Sequence, residues 1–148
     1  MPQNIGSLLR KRAAITPDQE AFVEWERQRR FSFVQLNARC NATANALLAR
    51  GVKPGDRVAT LLKNGIEFVE TYFAVAKIGA VMVPVNWRLV SAEISYILDD
   101  ADAAVLVFDG DFDETAADLH KGTHGSVPCR HWLRCQTDGS AAPDWAED

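Results

Sequence analysis

Residues 56–88 read DRVATLLKNGIEFVETYFAVAKIGAVMVPVNWR, and the fold turns on this stretch. The run Arg57-Val-Ala-Thr-Leu-Leu62 follows Pro54-Gly55-Asp56, a turn signal, and is short, apolar and rich in strand formers. From Gly65 to Lys77, residues Ile66, Val69, Tyr72, Phe73 and Ala76 recur at spacings of three and four, which predicts a helix. Ile78-Gly79 ends that helix, and Ala80-Val-Met-Val-Pro-Val85 supplies a second strand. Strand, helix and strand within one such span predict a right-handed βαβ crossover, and therefore an α/β domain built on parallel strands.

The same periodic reading extends outward. Asn4 to Ile15 is expected to be a helix capped by Asn4, with Ile5, Leu8, Leu9 and Ala13 as its apolar stripe, ended by Thr16-Pro17-Asp18. Glu20 to Trp25 alternates as a half-buried strand, with Ala21 and Val23 on one face and Phe22 and Glu24 on the other. Glu26 to Arg29 is a turn and Arg30-Phe-Ser32 the return strand of a hairpin. Ser32 caps a helix from Phe33 to Arg50 whose inward stripe is Leu36, Cys40, Thr43 and Leu47, with Gly51 at its end. Ser91 caps a further helix carrying Ile94, Ile97, Leu98 and Ala101, and Ala103 to Phe108 is a fully buried strand. Asp111 to Lys121 reads as a short acidic helix, Gly122 to Pro128 as a loop, and Arg130 to Arg134 as a last strand. The expected architecture is a layered α/β lobe over residues 1–134, with a mainly parallel sheet, helices on both faces and an N-terminal β-hairpin. Residues 135–148 form a polar tail expected to lack stable order.

Composition places the chain among soluble globular domains: 148 residues, 47% hydrophobic and 24% charged, with no apolar run long enough to span a bilayer. Three cysteines are too few and too uneven for a disulfide framework, which points to a reducing, cytoplasmic setting. The net charge of −4 conceals an asymmetry: residues 1–63 carry 11 basic and 5 acidic side chains, residues 64–148 carry 5 and 15. The basic clusters Arg10-Lys11-Arg12 and Arg27-Gln-Arg-Arg30 read first as solvated faces of a helix and a hairpin tip. Weak, peripheral contact with an anionic membrane surface is the alternative, and no motif supports nucleic-acid binding.

Two segments resemble the adenylate-forming acyl-CoA synthetases, the family that also includes luciferases and the adenylation domains of peptide synthetases. Phe31-Ser-Phe-Val-Gln-Leu36 is similar to the family's aromatic–Ser/Thr–aromatic–x–x–Leu segment. Ala74-Val-Ala-Lys-Ile-Gly-Ala-Val-Met-Val-Pro-Val-Asn-Trp-Arg-Leu89 is similar to its helix–Gly–strand–Pro segment. The similarity covers residues 4 to 109 and is greatest to the fatty-acyl-CoA ligases. It implies the N-terminal part of an AMP-binding, ATP-dependent ligase that joins a fatty or other carboxylic acid to coenzyme A through an acyl-adenylate. ATP, Mg2+ and coenzyme A are the cofactors this implies for the complete enzyme, and the remainder of the synthetase is the implied partner. The family's Thr/Ser/Gly-rich loop ending in Pro-Lys-Gly, its later aromatic-Thr-Glu segment and its mobile C-terminal domain with the catalytic Lys have no counterpart between Met1 and Asp148. No catalytic residue carries over, and the chain alone is expected to be inactive and to bind none of these cofactors.

Asn86 and Arg88 are the candidate site residues, because they follow a parallel strand at its carboxyl end, where open α/β sheets bind ligands. Asn86 offers two donors and an acceptor, and Arg88 a fork suited to phosphate or carboxylate at the substrate channel. The competing reading has Asn86 tying the turn and Arg88 pairing with a downstream acid. Asp99, Asp100 and Asp102 are better read as a polar loop than as a metal site, and Cys40 as a core residue rather than a nucleophile. His120, His124, Cys129, His131 and Cys135 are zinc ligands by type but match no finger spacing, so no metal is expected. Two other classes of function remain open: a stand-alone acyl-binding or assembly module, self-associating through an exposed apolar face, and a zinc-organised interaction module.

Overall fold

The computed structural model describes residues 4–135, 142–143 and 146–147. The expectation for the tail falls largely outside them. The element order is α1 (Ile5–Ile15), β1 (Glu20–Glu24), β2 (Arg29–Ser32), α2 (Phe33–Ala49), β3 (Arg57–Leu61), α3 (Ile66–Ile78), β4 (Val81–Pro84), α4 (Ser91–Asp100), β5 (Ala103–Asp109), α5 (Asp113–His120) and β6 (His131–Cys135). A 3-10 turn at Gly110–Phe112 leads into α5. The chain weaves between two compact units: residues 1–55 and 64–80 form the first, residues 56–63 and 81–148 the second.

In the first unit, α1, α2 and α3 pack on one another and on the β1–β2 hairpin. Their shared core is Leu9, Leu36, Cys40 and Ile66, joined by Ala21, Phe22, Phe31, Phe33, Val69 and Phe73. The α1 stripe departs from expectation. Ile5 and Leu8 stand 48% and 54% exposed, and the buried residues are Gly6 and Leu9. The reason is close helix packing: a Cβ on Gly6 would stand 2.8 Å from the Lys77 backbone, so only glycine lets α1 approach α3 this closely. Asn4 caps α1 as expected, its side chain accepting from Ser7 N at 3.1 Å while its Nδ2 donates to Ala76 O at 2.8 Å.

The hairpin also differs in detail. Arg29 belongs to β2 rather than to the turn, and Gln28 takes a left-handed conformation with φ 52°. The β1–β2 register slips between Glu20 and Phe22, so Ala21 and Phe22 both reach the core instead of facing opposite ways. Ser32 and Gln35 form a reciprocal capping box at the start of α2. The buried stripe of α2 is Leu36, Cys40, Ala44 and Leu47; Thr43 is half-buried, its hydroxyl donating to Arg39 O. The basic cluster at the hairpin is consumed locally: Arg27 and Arg29 pair with Glu24 and Glu67, and Arg30 with Glu20.

In the second unit, four parallel strands lie in the order β4-β3-β5-β6. β3 and β4 flank α3 in the chain and pair in parallel, as the opening stretch predicts. Every residue of β5 is buried, the signature of an inner parallel strand. Ala59, Leu61, Val85, Leu106, Phe108 and Trp132 from the sheet meet Ile94, Leu98, Ala116 and Leu119 from α4 and α5 in one core. Full burial of each Leu, Ile or Phe here is worth about 1.5–3 kcal/mol. Ser91 is not the cap of α4. Val90 occupies that position, and the Glu93 carboxylate accepts from Val90 N at 3.1 Å. At the other end, the Arg57 guanidinium donates to Ala101 O at 2.7 Å and Asp102 O at 2.9 Å and pairs with the Asp102 carboxylate. A cation at a helix C-terminus offsets both the dipole and the neighbouring acids. β6 is completed by Glu147, which bridges in parallel to Leu133.

Candidate functional site

The carboxyl ends of β3, β4 and β5 lie side by side in the second unit, because the three strands are adjacent and parallel. Lys63 follows β3, Asn86-Trp87-Arg88 follows β4, and Asp111-Phe112 follows β5. These three loops meet through their side chains. Lys63 Nζ donates to Asp111 Oδ2 at 2.7 Å and stands 5.6 Å from the Trp87 ring centre and 5.9 Å from that of Phe112. The two rings are 6.5 Å apart, and the Arg88 guanidinium lies over the indole at 4.8 Å. Phe112 is buried in the core beneath, while Trp87 is 38% exposed. The edge is thus an aromatic ledge carrying two cations and one carboxylate.

Asn86 ties its own turn: Oδ1 accepts from Arg88 N at 3.1 Å, an Asx turn that fixes the loop. Among the described residues the Arg88 guanidinium makes no ion pair and rests on Trp87. Sequence reading found this edge through Asn86 and Arg88 but missed Lys63, Trp87, Asp111 and Phe112. Each immediately follows a strand or its turn, a signal available in the sequence; their convergence depends on strand order, which is not.

The five candidate zinc ligands do not converge. His120 stacks edge-on against Trp132 at 5.1 Å, His124 Nε2 meets Asp118 Oδ2 at 3.2 Å, and His131 Nδ1 meets Glu147 Oε1 at 2.8 Å. Among the described residues no three His, Cys, Asp or Glu side chains are grouped to hold a metal ion. Burial pushes the Cys129 thiol up to about 12. Burial does the same to Cys40, helped by the Glu70 carboxylate, and raises it to about 12, so it is a core residue and not a nucleophile.

Other polar groups serve the fold. Arg134, 3% exposed, is held by both oxygens of Asp113 at 2.8 and 3.0 Å. Arg39 pairs with the buried Glu70. Burial works to raise the Glu24 carboxyl, but the Arg29 hydrogen bond, the charges of Arg29 and Arg27 and the Ile66 backbone N–H together hold it below the usual range. The first unit holds a cleft of about 420 Å³ lined by Phe22, Trp25, Glu24, Glu26, Phe68 and Val69, with acidic rather than basic polar groups. Among the described residues no Gly/Ser/Thr-rich loop follows the carboxyl end of a strand.

The AMP-binding enzyme family matches residues 9–144. The chain belongs to that family. A long-chain-fatty-acid–CoA ligase of Mycobacterium tuberculosis, FadD13, is 42% identical over 106 residues, which are 72% of this chain and 21% of that protein. A crotonobetaine/carnitine–CoA ligase of Salmonella paratyphi C is 40% identical over 103 residues, 70% of this chain and 20% of that protein. The crystal structure of the N-terminal domain of FACL13 from Mycobacterium tuberculosis superposes with a TM-score of 0.87 at 34% identity, covering 97% of this chain and 38% of that one. The chain therefore spans about a fifth of the length of the curated relatives it matches, and the match lies in their N-terminal portion. The expected family, fold class and N-terminal placement all hold.

Proposed function

We propose that this chain is the N-terminal lobe of an AMP-forming acid–thiol ligase whose complete form activates a fatty acid as its adenylate and passes the acyl group to coenzyme A. The observation that carries this reading is the family match over 9–144, together with 42% identity to a long-chain-fatty-acid–CoA ligase. In the complete enzyme ATP, Mg2+ and coenzyme A supply the adenylating and thiol chemistry, held by segments this chain does not contain. The lobe's part is structural. Its parallel sheet presents the carboxyl edge bearing Asn86 and Arg88 to the substrate channel or to the adjoining segment, with Asn86 shaping the loop and Arg88 supplying the cation.

The chain alone forms no acyl-adenylate, because chemistry of this kind requires a phosphate-holding loop and positive charge at the transition state. Two measurements test the reading. Intact mass of the native polypeptide isolated from its source is expected to be several times 16.3 kDa. Hydroxylamine trapping with palmitate, ATP and Mg2+ is expected to give product from that native protein and none from the 148-residue chain. A native species at 16.3 kDa without ligase activity refutes the assignment, and product from the isolated chain refutes its inactivity.

A further inference from the structure

We propose that the cleft of the first unit is a binding site for a small arylalkylammonium ion, an aromatic ring on a short stem that ends in a protonated primary amine. The cleft is lined by residues 22–26, 64–65 and 68–69 and does not depend on the ligase reading. Its volume of about 420 Å³ lies within the range of about 300–1,000 Å³ common among small-molecule sites. Three aromatic side chains line it: Phe22 from β1, Trp25 from the hairpin turn and Phe68 from α3. Phe22 and Val69 also pack into the core of the unit, which anchors that wall. Trp25 is 72% exposed at the rim, and its carbonyl accepts from Gln28 N at 3.2 Å and Gln28 Nε2 at 2.6 Å, which fixes its backbone. An aromatic guest meets walls already in place, so little ordering is needed on binding.

Charge decides what the ring carries. Glu24, Glu26 and Glu67 bring three carboxylates to this end of the unit, and Arg27 and Arg29 bring two guanidiniums, both paired with Glu24 and Glu67. Three against two leaves one negative charge. Glu26 carries it, since among the described residues it makes no ion pair. The neighbouring charges cancel in pairs: Arg30 with Glu20, and Arg39 with Glu70. Lys63, which precedes the lining Asn64 in the chain, belongs to the second unit, where Asp111 holds it. The N-terminus of α3, a positive helix end, is already met by the Glu24 carboxylate, which accepts from Ile66 N. A monocation therefore matches the cleft, and an anion is repelled.

The placement of oxygens favours an amine with N–H donors. Arg29 takes Glu24 Oε2 and Glu67 Oε1. Glu24 Oε1 and Glu67 Oε2 are left turned toward Gly65, where an added Cβ would stand 3.0 and 3.2 Å from them. Arg27 approaches that Glu24 oxygen only to 3.9 Å. Because Gly65 has no side chain, the two oxygens border a space at the cleft that a primary ammonium can enter, donating to both in charge-assisted hydrogen bonds. Trp25 adds the attraction of an aromatic face for a cation.

The experiment is a titration of the whole 148-residue chain, 15N-labelled, with phenylethylammonium, phenylethanol, phenylpropionate and butylammonium, read by two-dimensional NMR at neutral pH. The expected result is saturable, submillimolar to millimolar shifting by phenylethylammonium of the Trp25 indole N–H and of the Glu26, Gly65 and Phe68 amides. Phenylethanol and butylammonium bind more weakly, and phenylpropionate not at all. Trp25→Leu and Glu26→Gln each weaken the amine by about 2–5-fold, the range for one exposed cation–π contact or ion pair. Gly65→Ala, at an extended backbone with φ −174° that any residue adopts, fills the space between the carboxylate oxygens and weakens it too. Trp25 and Glu26 are exposed, and the same spectra report that the variants keep their fold. Absence of saturable shifts up to a few millimolar overturns the proposal, as does equal or tighter binding of the alcohol or the carboxylate. Equal or tighter binding of butylammonium also overturns it and assigns the cleft to an alkylammonium such as a partner's lysine side chain. So does an amine affinity unchanged in all three variants.

Discussion

Replacing Gly6 by alanine tests the packing account of the first unit, because local and tertiary effects there have opposite signs. On helix propensity alone, alanine is favoured over glycine by up to about 1 kcal/mol, and less in the first turn where Gly6 sits. The added Cβ would stand 2.8 Å from Cα, N and Cγ of Lys77. Carbon atoms in contact rest at about 3.5–4.0 Å, so α1 must retreat from α3 by roughly 0.7 Å or more. The Lys77 side chain can swing away, but its backbone is fixed inside α3. Overpacking of this kind costs about 1–3 kcal/mol. The retreat also stretches the 2.8 Å bond from Asn4 Nδ2 to Ala76 O, which spans the same two helices. The expected net loss is about 1–2 kcal/mol, or a fall in Tm of about 2–8 °C for a chain of this size. Urea unfolding followed by circular dichroism at constant m measures it. Ala14→Gly, on the exposed side of the same helix, is the control and should lose up to about 1 kcal/mol from propensity alone, less in the last turn where it sits. A Gly6→Ala chain as stable as the parent, or more so, would mean that the Gly6–Lys77 contact does not limit how closely α1 approaches α3.

The remaining predictions concern charge and thiols. Asp113→Ala should destabilise by about 1–3 kcal/mol, because it takes a two-point carboxylate from a buried guanidinium while Asp113 itself is 36% exposed. Arg134→Met should cost less, and the reverse order in denaturant unfolding would contradict the pairing account. Glu24 has a folded pKa below its ordinary 4.5, so its ionised form favours the folded state. That stabilisation is fully present above the unfolded pKa and is lost as pH falls through the lower folded one; Glu24→Gln should flatten the acid limb of stability against pH. Lys77 has its pKa lowered by burial, so the opposite holds: folding works against its protonation, and stability contributed by this site rises as pH climbs from the folded pKa towards the ordinary 10.5. Lys77→Met should remove that rise in unfolding free energy on the approach to pH 10.5 from below. With an aromatic disulfide reagent at pH 8, Cys40 should stay silent in the native chain and react fully in denaturant, and early labelling at Cys40 by mass spectrometry would refute its burial.

Much of the fold is legible in the sequence because most segments carry one clear period. The strand–helix–strand of residues 56–88, the cap at Ser32 and the apolar run Ala103 to Phe108 of β5 each rest on local chemistry that tertiary structure has no reason to override. The errors fall where neighbours decide. Gly6 is invisible to a search for apolar stripes, because it contributes closeness and not hydrophobic surface. The bulge after Glu20 breaks a two-residue alternation that looks regular in sequence. Val90 serves as a cap through the Glu93 carboxylate three residues on, while Ser91 resembles a cap by type alone. At the candidate site, Asn86 and Arg88 are readable from their place after a strand, but their companions Lys63 and Asp111 lie far away in the chain and meet only because β3 pairs with both β4 and β5.

That double pairing has a consequence for biosynthesis. β3 is the first strand of the parallel sheet to be made, yet both of its neighbours come from later chain. Residues 64–80, which follow it at once, belong to the other compact unit. On the ribosome, the helices and hairpin of that unit can be assembled while β3 still has two open edges, the condition under which strands recruit wrong partners. Translation speed between Leu61 and Ala103, more than the stability of the finished sheet, then sets how long that strand is open to misassembly.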